Sequence, residues 1–354
     1  MSAIKPSLFG LNKSNRDFTK KDAWGKNQFN SSFPAALCCY MFEQGVPANY
    51  LVMGTQKLEV KTIGVDSLFG LDPTNPDIYF AFEAAYTPFQ KYVIGTLPRT
   101  DLIIQNEATG ACIRGLEIKL TALPDHVTCD FDDAKYGSEI VVRPDSIVYL
   151  ACSIAALLDE SLKQKILASK IVISDWSDAA EVLPRVGLVL REIETILKAI
   201  EGKQSPFLMQ PVWKTMGKSP TLAENCLDVF VWSDAGFCWF ITQIANADES
   251  AARITRQSRS AIWFYKMILD YVSDGRFDHE KIIDELSYNT KNDKAFASSG
   301  NVTNIYMTCV NLTKPRIKKE AIKEIILGDG QNLLSPERRF DAILFNSPEL
   351  FDKP

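Results

Sequence analysis

Residues Thr100–Asp125 read TDLIIQNEATGACIRGLEIKLTALPD, and the fold turns on how this stretch is read. Asp101–Gln105 and Ala111–Leu120 are rich in Ile and Leu, and Glu107-Ala108-Thr109-Gly110 between them has turn composition, so the stretch predicts two antiparallel strands. Side chains alternate along a strand. Glu117 and Lys119 therefore share one face, while Ile118 and Leu120 point to the other and can enter a core. A turn centred on Ala108 and Thr109 sets Asp101 opposite Leu116, one residue out of register with Glu117, with Gly115 as the expected site of a correcting bulge.

These residue types suit phosphodiester chemistry. A phosphodiester resists attack because its oxygens are anionic. A hard cation held by Asp101 and Glu117 would screen that charge and ease deprotonation of water. The Ile118 carbonyl is a candidate further ligand, and Lys119 would stabilise charge that develops in the transition state. The alternative is a solvated hairpin face, and the flanking elements weigh against it. Asp77–Tyr86 predicts a short helix, Ser138–Val142 a third strand, Ile147–Leu158 a helix opened by Pro144 and Asp145, and Lys170–Ser174 a last strand. Glu83, on the first of these helices, is a candidate to join the metal site from behind, against the plainer reading of a helix-surface glutamate.

Asp101, then 15 residues, then Glu117-x-Lys119 resembles the PD-(D/E)XK nuclease superfamily, with Thr100 where its proline usually stands. SNRDFTKKDAWGKNQFNSSFPAAL (Ser14–Leu37), GLEIKLTALPD (Gly115–Asp125) and RPDSIVYLACSIA (Arg143–Ala155) are similar to the HindVP-type family of type II restriction endonucleases. The resemblance implies an α/β restriction-endonuclease-like core ordered helix, three strands, helix, strand, with an N-terminal arm and a mixed α/β C-terminal region. It further implies Mg2+-dependent cleavage of double-stranded DNA at a short palindrome of the GRCGYC type. A palindrome predicts a homodimer, and a companion DNA methyltransferase acting on the same site is expected. Two other readings stay open: a structure-specific or repair nuclease with the same core, and a catalytically silent DNA-binding protein.

Composition sets the bounds. With 354 residues and 46% hydrophobic content the chain can bury a sizeable core. The expected divisions are an arm and helix over 1–70, a catalytic core over 71–178 and a recognition and dimerisation region over 179–354. The formal charge of -5 excludes a globally basic nucleic-acid binder but leaves room for a local basic cleft. Eight cysteines without a CxxC pair read as reduced thiols, and two histidines argue against a histidine-rich zinc site. No apolar block marks a signal peptide or a membrane span, so a cytoplasmic protein is expected.

Several groups are candidates for DNA contact. Lys26 and Asn27 lie in a basic, aromatic N-terminal stretch, ahead of a helix that Ser32 can cap with Pro34 in its first turn. His126 follows the hairpin. Asp248–Tyr271 predicts one helix with Arg256, Arg259, Trp263 and Lys266 on its outer face, and Lys318 and Lys319 fall at the start of another. Residues 204–220 read as a loop, and Leu227–Trp232 with Phe237–Thr242 as a hairpin around Asp234-Ala235-Gly236.

Overall fold

The computed structural model describes residues 11, 13–16, 26–55, 57–124, 140–169, 171–216, 222–247, 252–288, 295–298 and 315–321. The chain opens with α1 (Lys26–Glu43), β1 (Ala48–Met53), β2 (Leu58–Ile63) and α2 (Val65–Phe69). It continues through β3 (Ile78–Ala84), β4 (Thr100–Asn106), β5 (Cys112–Ile118), β6 (Thr121–Pro124), β7 (Ile140–Val142), α3 (Pro144–Ala155) and α4 (Glu160–Leu167). Then come α5 (Ala179–Val182), α6 (Val186–Ala199), β8 (Pro206–Thr215), β9 (Leu222–Ser233), α7 (Asp234–Asn246), α8 (Arg256–Asp274), α9 (His279–Glu285), β10 (Phe296–Ser298) and β11 (Ile317–Lys318).

One mixed sheet, ordered β2-β1-β9-β8-β5-β4-β3, organises the molecule. The β1–β9 and β5–β8 pairs are parallel, and the other neighbours on this path are antiparallel. β6 continues along β8 beyond the end of β5, and β11 pairs with β9. Strands come from residues 48–63, 78–124 and 206–233, so the sheet draws on all three of the expected segments. Against one face, Phe33, Leu37 and Met41 of α1 and Leu68 of α2 pack on Phe82, Leu102, Leu116 and Ile118. Against the other lie α3, α6, α7 and α8, whose Ile147, Ile193, Phe240 and Phe264 join Leu208 and Trp232. This α/β/α layering matches the expected fold class. Because Leu116 and Ile118 enter the α1 side, Glu117 between them faces the α3 side.

Several elements differ from expectation. Residues 78–84 form a strand where a helix was expected: in IYFAFEA, Phe80 and Phe82 alternate onto one face, and aromatic side chains fit a pleated surface. β7 pairs with β10 in a separate two-stranded sheet. Residues 171–174 are not a strand. The strand that follows the core helix is β8, inside the stretch read as a loop. Its prolines and Gln210 imitate a loop, but Gln210 is buried and accepts from Trp232 Nε1 at 3.0 Å.

Pro211 has a visible effect on this part of the sheet. Lys119 N–H donates to the Met209 carbonyl at 2.9 Å, and a parallel ladder would next send the N–H of residue 211 to the Lys119 carbonyl. Proline has no N–H. The strand lapses at Lys119 and Leu120, between β5 and β6.

The expected second hairpin is instead β9 followed by α7. Ser233 caps the helix by accepting from Gly236 N, so Asp234-Ala235-Gly236 is a helix start and not a turn. A Cβ on Gly236 would lie 2.7 Å from the Leu51 carbonyl, which explains the glycine. α1 begins at Lys26, upstream of Ser32, and it runs through Pro34 because Phe33, Ala35, Leu37 and Met41 bury its body. α8 begins at Arg256 after the Thr255 cap, later than expected. Arg316 makes two bonds to the buried Asp228 of β9, at 2.8 and 2.6 Å, and one to the Pro47 carbonyl at 2.8 Å.

Candidate active site

The β4–β5 pair carries a bulge, though not at Gly115. Leu102 pairs with Leu116 and Ile104 with Arg114, but Gln105 pairs with Cys112. The extra residue is therefore absorbed at Ile113, close to the turn. Continuing the same register sets Asp101 opposite Glu117, the alignment the expected bulge was meant to supply.

Asp101 takes over the ladder where β4 begins, its Oδ2 accepting from the Ile118 N–H at 2.8 Å. Thr100 Oγ1 donates to the Leu116 carbonyl at 3.1 Å and fixes the same corner. Lys119 Nζ lies 3.3 Å from Glu117 Oε2 and 3.7 Å from Asp101 Oδ2. The structure thus brings Asp101, Glu117 and Lys119 together. Exposure is graded across them: 6% for the Glu117 side chain, 15% for Lys119 and 35% for Asp101.

The electrostatics follow from that grading. Burial pushes the Glu117 carboxyl up to about 7; Lys119 pulls it back, and the Asp101 charge pushes it further up. Burial works against the Lys119 ammonium too, but Glu117 and Asp101 outweigh it and its pKa is raised. Two carboxylates thus face one ammonium, leaving an excess of negative charge that a hard divalent cation would relieve. Among the described residues no group of three or more Asp, Glu, His or Cys gathers as a metal cluster. A pair of carboxylates still fits Mg2+, which typically takes one or two and completes its shell with water and substrate phosphate.

Glu83 stands on β3, not on a helix, with a left-handed φ of 49° that is uncommon for a non-glycine residue. Its carboxylate lies 3.5 Å from Arg16, whose guanidinium also sits over the Phe82 ring. It forms no three-carboxylate cluster with Asp101 and Glu117.

The expected outer face of α8 is largely core. Arg259 and Trp263 are fully buried, with the guanidinium 4.7 Å from the indole centroid and Trp263 Nε1 donating to the Leu286 carbonyl at 3.0 Å. Their polar appearance reflects packing against residues 286–287 after α9. Lys266 pairs with Asp270 one turn on, and Arg256 is exposed. Lys318 is exposed on β11, and Lys319, whose N–H donates to the Glu224 carbonyl, lies in the turn that leads to the helical residue Ala321. Lys26 and Asn27 fall in the first turn of α1. His126 lies outside the described residues.

Sequence reasoning missed Tyr149. Its hydroxyl donates to the Pro98 carbonyl at 2.7 Å and accepts from Tyr86 N–H at 3.0 Å, which ties α3 to the segment entering β4. Together with Glu117, Thr100 and Ser153 it lines a cavity of about 140 Å³. The α3 periodicity could have placed Tyr149 on the sheet-facing side but named no partner. Among the described residues no helix is long and apolar enough to cross a membrane.

A family profile described as HindVP restriction endonuclease matches residues 24–351. The chain is 51% identical over 349 residues to a probable type II restriction enzyme HindVP of Haemophilus influenzae, covering 98% of this chain and 96% of that protein. It is 43% identical over 357 residues to the type II restriction enzyme HgiDI of Herpetosiphon aurantiacus, covering 99% and 98%. No solved structure matches the chain.

Proposed function

Because the chain belongs to the HindVP restriction endonuclease family, we propose that it is a type II restriction enzyme whose catalytic centre is the junction of β4 and β5. The observation that carries this reading is the convergence of Asp101, Glu117 and Lys119 at one strand junction, with a bulge that aligns the two acids. Asp101 and Glu117 would hold Mg2+, with the Ile118 carbonyl as a further oxygen ligand. When bound, the ion would screen the phosphate oxygens and favour deprotonation of a coordinated water. Asp101 is itself oriented by the Ile118 N–H. Lys119, kept protonated by its two acidic neighbours, would place a positive charge beside the attacking water and the phosphorane-like transition state.

The proposed substrate is double-stranded DNA with a palindromic site of the GRCGYC type, cut by a homodimer with one catalytic centre per strand. A companion methyltransferase would protect the same site. Purified protein is incubated with unmethylated plasmid, with magnesium or with chelator, beside the Lys119→Ala variant. Discrete magnesium-dependent fragments are expected, with single-turnover cleavage lowered by about 10²–10³-fold in the variant while DNA binding persists. Nicking that tracks DNA structure would favour a repair-type nuclease, and intact DNA in every lane with binding retained would favour a silent module.

A further inference from the structure

Two arginines lie close to the carboxylate pair, and among the described residues neither is paired with a carboxylate. Arg99 stands two residues before Asp101, and Arg143 occupies the N-cap position of α3. Both are exposed, and among the described residues neither side chain takes part in a hydrogen bond or ion pair. Exposed lysines elsewhere on this acidic chain do find partners: Lys61 with Glu59, Lys203 with Asp159 and Lys281 with Glu285. A guanidinium that no described carboxylate engages keeps its donor set for an anion from outside.

The two arginines are held in a fixed relation by one side chain. Tyr149, in the second turn of α3, gives its hydroxyl to the carbonyl of Pro98, the residue before Arg99. The backbone that carries Arg99 and the helix that carries Arg143 are therefore pinned to each other, and Tyr149 shares a cavity wall with Glu117. Arg143 also lies close enough to Lys119 to act on it electrostatically. The first turn of α3 adds N–H groups without intrahelical partners, although Asp145 in that turn offsets part of their field. Guanidinium is suited to such a place because its planar fork matches two phosphate oxygens at once.

We propose that Arg99 and Arg143 form a phosphate clamp that straddles the Asp101–Glu117–Lys119 site, each binding non-bridging oxygens of the DNA strand being cut. The proposal rests on the nuclease reading above and names the part of the substrate these residues take.

The test uses the full chain with Arg99→Gln, Arg143→Gln and the double substitution, and Arg143→Lys as a charge-retaining variant. Binding to a fluorescent duplex carrying the site mapped from wild-type fragments is measured in calcium over about 50–200 mM salt. Each phosphate contact contributes about 0.9 to the slope of log K against log salt, so each single Gln variant should flatten it by about 1 and the double by about 2. Arg143→Lys should keep the wild-type slope. The fragment pattern should be unchanged, since phosphate contacts carry no direct base information. Wild-type slopes in both Gln variants would overturn the clamp, and so would an altered fragment pattern, which would mean base reading. A wild type that cuts while the slopes stay fixed sinks the clamp alone; a wild type that neither binds nor cuts sinks the nuclease reading along with it.

Discussion

Glu117 is the residue on which stability and chemistry pull apart. It is 5% exposed, and its carboxyl is pushed up from 4.5 to about 7, by burial first and then by Asp101. For an acid whose folded pKa lies above its unfolded value, ionisation costs more in the folded chain. Its contribution to stability therefore falls as pH rises from about 4.5 to about 7 and stays low above that. Glu117→Gln removes the titration while keeping the shape. In chelator, the variant's melting temperature should gain on the wild type between about pH 5 and pH 8, while magnesium-dependent cleavage is lost; an equal gap at both pH values would show that Glu117 is not ionising under strain. The three residues Asp101, Glu117 and Lys119 were legible in the sequence because strand alternation and one hairpin suffice to bring them together. Glu83 was less so: a residue that departs from the regular backbone, with φ of 49°, cannot be placed by periodicity.

At the scale of elements, sequence patterns succeeded where an element carried its own local signal and failed where packing decided it. The β4–β5 hairpin was readable because its strands are joined by a short turn, and α3 because Pro144 and Asp145 mark the start of a continuous apolar body. β8 was not, because a strand buried on both faces between partners lacks alternation, and its prolines imitate a loop. α8 failed for a related reason. Arg259 and Trp263 looked solvent-facing only because the packing of the residues after α9 lies outside any helical wheel. Pro211, a loop signal by composition, interrupts the ladder beside Lys119. Pro211→Ala should supply the missing donor and join β5 to β6, and hydrogen exchange followed by mass spectrometry should show slow exchange at the amide that the substitution creates. Fast exchange there would mean that something other than the absent N–H keeps the strands apart.

Over the whole molecule, the central sheet is closed by contacts between parts of the chain far apart in sequence. Arg316, 28% exposed, meets Asp228, which is 0% exposed, and Asn49 Nδ2 adds a bond to the same carboxylate at 3.1 Å. Arg316→Ala would leave that carboxylate buried with its guanidinium gone. Breaking such a pair costs about 3–5 kcal/mol, and the partial exposure of Arg316 favours the lower end, about 3 kcal/mol; urea denaturation should read it as a lower midpoint with unchanged slope. A change below about 1 kcal/mol would place the pair among surface bridges of little weight. None of this is visible in the sequence, where Arg316 stands among Lys314, Lys318 and Lys319 as one more charge. The same pairing has a meaning for biosynthesis. Translation delivers Glu117 well before Leu208, the strand partner beside it, and Asp228 well before Arg316. A nascent polypeptide that stops short of residue 316 holds the Asp228 carboxylate without the Arg316 guanidinium that accompanies its burial, so fragments released early from the ribosome are poorly equipped to fold into a DNA-cutting enzyme.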